Sequence, residues 1–382
     1  MRPPRQPLRL ALVRQRHAGF GGAERMITTA LARLKQTQDI DVSIVARSWP
    51  AHALSGASLV RCAPFYLGRT MRDVGFARAA SSLCTRFDLV QAHERVPGAQ
   101  IFRAGSGVHA EWLLQRARQL GAADASSLAA EGYHRAVLSL ESQMLSHPSL
   151  RAVIANSEMV ARDLARHHPA CTPLIRVIWN GIDRARFSPE QRRAQRPPAR
   201  RALGIGEANR AVAMVGSDWQ RKGAACLLTS LAQLPKDIIL LLAGKESKPG
   251  RLRAIARKLD VDDRVRWIGP TEDPMAVLAA ADCFALPSIY DQCPSASIEA
   301  LACGLPVVLS SQCGTHSLVH PGQTGFVVDA HDHAAWPAAI ARALELPATA
   351  ADDASASVRH LDVDGMVEAW VELYRTLREE NL

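Results

Sequence analysis

Between Ser288 and Val328 the chain passes from a polar loop into a short helical segment closed by Gly304 and Pro306, and then into the apolar run Val307–Leu309. A run that is apolar at every position reads as a strand buried on both faces, which is how strands sit in parallel sheets covered by helices. This stretch commits the chain to an α/β fold, in which ligands gather at the carboxyl ends of the strands. Asp291 and Glu299 stand in it with seven residues between them. On a helix starting near Pro294 they could face one bound ligand from two levels. Pro294 suits the first helical turn, where its missing N–H costs nothing. Ser295 and Ser297 are expected to leave hydroxyls and backbone N–H groups free at the positive end of the helix dipole, a seat for phosphate oxygens.

The Asp291–Glu299 spacing and the EALACGLPVV run resemble the carboxylate-x7-Glu block of the GT-B glycosyltransferases of family 4. Within that family the stretch is most similar to enzymes that build the lipopolysaccharide core, such as the glucosyltransferase acting on heptose. The resemblance implies an α/β GT-B fold, two Rossmann-like domains facing a central cleft. It implies metal-independent, retaining transfer of a hexose from a nucleotide sugar, expected to be UDP-linked, to a lipopolysaccharide core or related cell-envelope glycan. No cofactor is expected beyond that donor. By the resemblance Glu299 holds the ribose and Asp291 the hydroxyls of the donor sugar, with Asp standing where the family usually has Glu. Gln292, Cys293 and Ser295 are the neighbouring donor contacts.

At 382 residues the chain is too long for one ordinary core, so two domains are expected. Its formal charge of +9 calls for an anionic partner: nucleic acid, a nucleotide diphosphate or an acidic membrane surface. No nucleic-acid-reading module accompanies the charge, and a nucleic-acid partner is not expected. Eight cysteines, at positions 62, 84, 171, 226, 283, 293, 303 and 313, contain no C-x-x-C. They read as small core residues of a reducing compartment. Met1–Arg5 leads into a strand without a signal-like apolar region, and no run is long enough to span a membrane. The expectation is a cytoplasmic protein, attached at most to the cytoplasmic face of an anionic inner membrane.

Taken in order, strand Leu8–Val13 precedes Phe20-Gly21-Gly22-Ala23-Glu24-Arg25 and a helix to about Lys35. Gly21 and Gly22 let backbone approach a ligand, and the resemblance puts them at the cleft, near the donor phosphates or the acceptor. His93, Glu94 and Arg95 follow a strand end and are further cleft candidates. Ser106, between Gly105 and Gly107, stands where related enzymes carry Asp, and a serine cannot act as a carboxylate base. His109 either compensates or merely caps its helix. The Glu111–Leu120 segment fits a membrane-facing helix or one packed on the helix of about Tyr133–Ser146.

Asn180-Gly181-Ile182-Asp183 resembles the family's domain junction, and the Arg- and Pro-rich Arg192–Arg201 reads as solvated linker. After strand Ala211–Val215, cations Arg221 and Lys222 stand at a helix start, where they oppose the helix dipole unless an anion lies between. They are therefore the diphosphate ligands expected here, with Ser217 replacing an Arg that the family usually has. By the resemblance, backbone near Ile268 and Gly269 reads the nucleobase. Asp260-Val261-Asp262 spells D-x-D but falls in a helix-to-strand turn, so no metal site is expected. The expected division is 1–180 as an acceptor-side domain, 181–205 linker, 206–360 as a nucleotide-sugar domain, and 361–382 as a helix crossing back to the first. Two rivals remain: a Rossmann oxidoreductase, for which the first loop lacks G-x-G-x-x-G, and a silent nucleotide-sugar-binding protein.

Overall fold

A computed structural model describes residues 6–17, 21–120 and 122–380. Phe20 of the first glycine loop and the Met1–Arg5 start lie outside the described residues. The chain divides into two compact units, Met1–Gly181 with Val363–Leu382, and Ile182–Asp362.

The first unit holds seven strands: β1 (Leu8–Val13), β2 (Ile40–Ala46), β3 (Ser58–Arg61), β4 (Leu89–Ala92), β5 (Ile101–Arg103), β6 (Ala152–Ala155) and β7 (Ile175–Val177). Their order is β3-β2-β1-β4-β5-β6-β7, and every pairing is parallel. The second unit repeats the scheme with β8 (Arg210–Val215), β9 (Ile238–Ala243), β10 (Val265–Gly269), β11 (Cys283–Leu286), β12 (Val307–Ser310) and β13 (Gly325–Val328). Its order is β10-β9-β8-β11-β12-β13, again parallel. Each sheet starts in the middle, runs to one edge and returns to its first strand before running to the other. This is the doubly wound Rossmann order, with switch points between β1 and β4 and between β8 and β11. Strands such as β9, IILLLA, are buried at every position, as covering on both faces requires.

Two connections settle how local sequence becomes this architecture. Helix Ser295–Ala302 ends on Cys303, with Gly304 left-handed at φ 73. Gly304 N–H donates to Leu301 O and Leu305 N–H to Ala300 O, both at 2.9 Å, so the free carbonyls of the last turn are satisfied in a Schellman motif. A Cβ at Gly304 would also lie 2.9 Å from the carbonyl of Ala351. Helix Val363–Glu379, after the second unit, packs Met366, Val367, Trp370, Tyr374 and Leu377 among Leu10, Ile27, Leu31 and Ile44 of the first. Its Tyr374 hydroxyl donates to Gln91 at 2.8 Å, below the first sheet's switch point.

The segment expected as linker is instead structured. Pro189–Ala202 is a helix capped by the Ser188 hydroxyl, and it belongs to the second unit. Its arginines recur every four residues and so share one face. Arg192 and Arg196 each donate to Ala281 O at 2.8 Å, Arg196 also binds Asp282, and Arg200 donates to Ala280 O at 3.1 Å. What reads as solvated charge is a stripe that caps the carbonyls at the end of the neighbouring helix Pro274–Ala280.

Candidate functional site

The second unit's switch point is built from two loops. After β8, Gly216 adopts φ 144, and a Cβ there would lie 2.4 Å from Lys222 Cε. Glycine is what lets the lysine stem lie across the strand end. Gly223, at φ 82, caps helix Ala224–Gln233, and a Cβ on it would meet Pro287 O at 2.3 Å. After β11, Asp291 is pinned by its backbone: its N–H donates to Gln312 O at 3.0 Å and its O accepts from Gly314 N–H at 2.7 Å. The Asp291 side chain then meets Lys222, Nζ to Oδ2 2.6 Å, and Arg221, 3.4 Å. Arg221 also donates to Tyr290 O at 2.9 Å and pairs with Asp218 at 3.2 Å.

Lys222 is 8% and Asp291 7% exposed. Burial pushes the Asp291 carboxyl up, but Lys222 and Arg221 outweigh it and hold it below the usual range. The cations expected to need an anion at this helix start therefore have one within the protein.

Helix Ser295–Ala302 begins one residue later than expected, with Pro294 at the cap position rather than in the first turn. Ser295 is half-buried. Ser297 is not free for a ligand: its hydroxyl donates to Pro294 O at 2.7 Å and shares a 2.8 Å bond with Thr315. Glu299 and Cys293 are buried and Gln292 half-buried. The exposed Ser217 hydroxyl accepts from Lys245 N–H at 3.3 Å, tying the ends of β8 and β9. Ile268 and Gly269 close β10, where Gly269 O accepts from Gly244 N–H at 2.6 Å. Asp262 accepts from the Trp267 indole at 2.9 Å.

In the first unit, Gly21 (φ 127) caps helix Gly22–Leu34, and Glu24 in its first turn pairs with Arg14 at the end of β1. His93 sits in the core with its ring edge on Trp370 and Nε2 3.0 Å from the Gln91 amide. Burial and then the Arg103 charge push its pKa far down. A buried, bonded, neutral ring here supports the core rather than a ligand.

Arg95, after β4, does more. It pairs with Glu141 at 2.7 Å and makes 3.4 Å contacts to the Ser106 hydroxyl and Gly107 O. Glu141, 1% exposed, also accepts from His109 N–H at 3.0 Å. Sequence reasoning missed Glu141 and His134, although both lie on the apolar stripe of helix Gly132–Leu145 with Val137, Leu140 and Met144. A charged or titratable residue on an inward stripe is a legible sign of a paired polar cluster. The structure thus brings Ser106 and His109 together around Arg95 and Glu141, and Arg221, Lys222 and Asp291 together in the other unit. Among the described residues no His, Cys, Asp and Glu group could hold a metal ion.

A twin doubly wound fold with charged, glycine-lined switch points defines the GT-B class. Residues 20–186 match the family model described as Glycosyltransferase Family 4, and residues 195–358 the model described as Glycosyl transferases group 1. The chain belongs to these GT-B glycosyltransferases. It is 37% identical over 191 residues to a D-inositol 3-phosphate glycosyltransferase of Mycobacterium sp. (strain KMS), covering 48% of this chain and 42% of that protein. It is 32% identical over 293 residues to the D-inositol 3-phosphate glycosyltransferase of Mycolicibacterium vanbaalenii, covering 72% of this chain and 62% of that one. The match thus spans less than half the length of the first of these relatives.

Among solved structures, WaaG, a glycosyltransferase involved in lipopolysaccharide biosynthesis, superposes with a TM-score of 0.82 at 20% identity, over 95% of this chain and 99% of that one. HepE of Anabaena, in complex with UDP and glucose, gives 0.74 at 19%, over 97% and 100%. At such identities these two show the fold alone.

Proposed function

We propose that the protein transfers a hexose from a nucleotide sugar, expected to be UDP-linked, to a lipopolysaccharide core or related envelope glycan, with retention at the anomeric carbon. The observation that carries this is the Arg221–Lys222–Asp291 cluster at the β8/β11 switch point. Buried Lys222 and half-buried Arg221, both held by backbone-pinned Asp291, in this reading stabilise the charge that a diphosphate develops as it leaves. In this reading Glu299 holds the ribose, Asp291 meets the donor sugar's hydroxyls, and Ser295 offers backbone N–H to phosphate. Gln292, Cys293, Ser217, Ile268 and Gly269 line the nucleotide, and Gly21 and Gly22 lie at the ligand-facing loop of the first unit. Ser106 and His109 serve the hydroxyl-bearing partner. The phosphate oxygen that departs takes the acceptor proton, which makes a carboxylate at position 106 dispensable.

Contact with an anionic membrane belongs to the same reading, because the acceptor would be lipid-linked. Helix His109–Arg118 is poorly suited to it: Trp112 stacks on His109 at 5.6 Å and Leu113 is half-buried, leaving Leu114 outermost at 48%. We place the contact instead on the connection after β3, where Phe65 and Leu67 are each 74% exposed and Met71 45%. Exposed Arg61 and Arg69 flank them. No helix among the described residues is long and apolar enough to cross a membrane.

The test is calorimetric titration with UDP and ADP in EDTA, followed by UDP release from a panel of UDP-sugars with rough lipopolysaccharide as acceptor. The expected result is metal-free UDP binding and release with one sugar. UDP binding without turnover on any acceptor would favour the silent binding protein, and no nucleotide binding would overturn the reading.

A further inference from the structure

Glu131, His134 and His109 form a chain of contacts that the transfer reading does not use. Glu131, at the start of helix Gly132–Leu145, lies 3.2 Å from His134 Nε2. His134 Nδ1 in turn lies 3.0 Å from His109 Nε2. Arg69 pairs with the other Glu131 oxygen and lies over the Tyr133 ring at 4.2 Å, fixing the carboxylate from the far side. A carboxylate only accepts, so the Glu131 charge 3.2 Å away favours the proton on His134 Nε2. In a neutral ring its Nδ1 is then a lone pair, so the bond to His109 requires a proton on His109 Nε2. His109 Nδ1 is thereby left bare.

The surroundings keep both rings neutral. Burial pushes His109 down to about 4, and Arg95 adds to this, against Glu141, which raises it. Burial and then Arg69 also push His134 down. His109 is held in place from three sides. Its backbone N–H is bonded to buried Glu141, its ring stacks on Trp112 with planes 12° apart, and Nε2 meets His134. Nδ1 has no protein partner among the described residues. It lies three residues from exposed Ser106, on the loop gripped by Arg95.

We infer that Glu131 and His134 are positioning residues that lock His109 into the Nε2–H tautomer, so that His109 Nδ1 accepts a hydrogen bond from a hydroxyl of the bound carbohydrate. This deepens the glycosyl-transfer reading and rests on it for the identity of the ligand, but the tautomer itself stands apart from any activity. No proton is lost from the hydroxyl: it donates to Nδ1 and is oriented, while the Nε2 proton remains shared with His134.

The test is nitrogen-15 NMR of imidazole-labelled protein, with His109 assigned by its absence in His109→Ala. The expected result is a bare Nδ1 and a protonated Nε2 in the wild type. His134→Asn, which keeps an acceptor oxygen near the Nδ1 position, and Glu131→Gln, which keeps a carbonyl oxygen, should preserve that pattern. His134→Leu and Glu131→Ala should convert His109 to a tautomer mixture. In the transfer assay the last two should lose about tenfold in kcat/KM, the worth of one well-formed hydrogen bond, with the conservative pair restoring most of it. Glu131 is a partly exposed side chain, so Glu131→Ala is expected to fold. A protonated Nδ1 in the wild type, or an unchanged tautomer in both disruptive variants, overturns the inference. A wild type with no turnover on any UDP-sugar counts against the transfer reading, and the nitrogen shifts still decide the tautomer.

Discussion

Lys222 and Asp291 replace water for one another, since each is less than a tenth exposed and their charged atoms are 2.6 Å apart. Removing one partner strands the other. Lys222→Met is therefore expected to cost about 3 kcal/mol, read as a lower urea midpoint, and Lys222→Met with Asp291→Asn should cost less than the single change. The sign with pH follows from the depressed Asp291 pKa. The native state binds fewer protons than the unfolded chain, so the pair's stabilisation is present above pH of about 4 and drains as pH falls through the folded value. In the doubly substituted protein the drain from this pair should be absent. Each of these residues was legible as a candidate from its loop, but their pairing was not. Sequence reasoning gave Asp291 to a sugar and Lys222 to a phosphate, and only folding showed that each neutralises the other first.

Among elements, the connection from Arg61 to helix Gly68–Ser81 stands out for leaving large apolar groups uncovered. If it meets an anionic bilayer, the protein should co-sediment with vesicles containing phosphatidylglycerol and far less with phosphatidylcholine alone. Phe65→Ser with Leu67→Ser should lower that partition by about tenfold. Equal binding by the substituted protein would remove this connection from the account. Sequence patterning offered Glu111–Leu120 for such a contact, because Trp112, Leu113, Leu114 and Leu120 stand alongside Arg116 and Arg118, with packing on the helix of about Tyr133–Ser146 as the other reading of the same pattern. In the fold that helix spends its aromatic group on His109 and its Glu111 on Arg166 and His167, at 2.6 and 2.9 Å. The residues after β3 carry no periodicity to flag them. The Pro189–Ala202 helix shows the same limit in reverse, where two internal prolines and dense arginine hid a four-residue stripe.

For the whole molecule, the chain passes between its units twice, at 181–182 and at 362–363. Its last helix completes the first unit's core. Trp370, 1% exposed, packs there beside Leu10 and Ile44. Trp370→Ala should cost about 3–5 kcal/mol, seen in calorimetry as a lowered transition for the first unit while the second holds its own. A change confined to the second unit's transition would contradict this assignment of the helix. The sequence by itself determined the alternation of apolar strands with helices, the glycine at each first crossover and the identity of the charged loops. These are local properties, set by periodicity and backbone sterics within a few residues. The tertiary structure alone decided that Asp291 meets a lysine 69 residues away and that Glu141 and His134 line up behind His109. Such pairings depend on strand order and on which buried charge finds a partner, and neither is written in the spacing of residues along the chain.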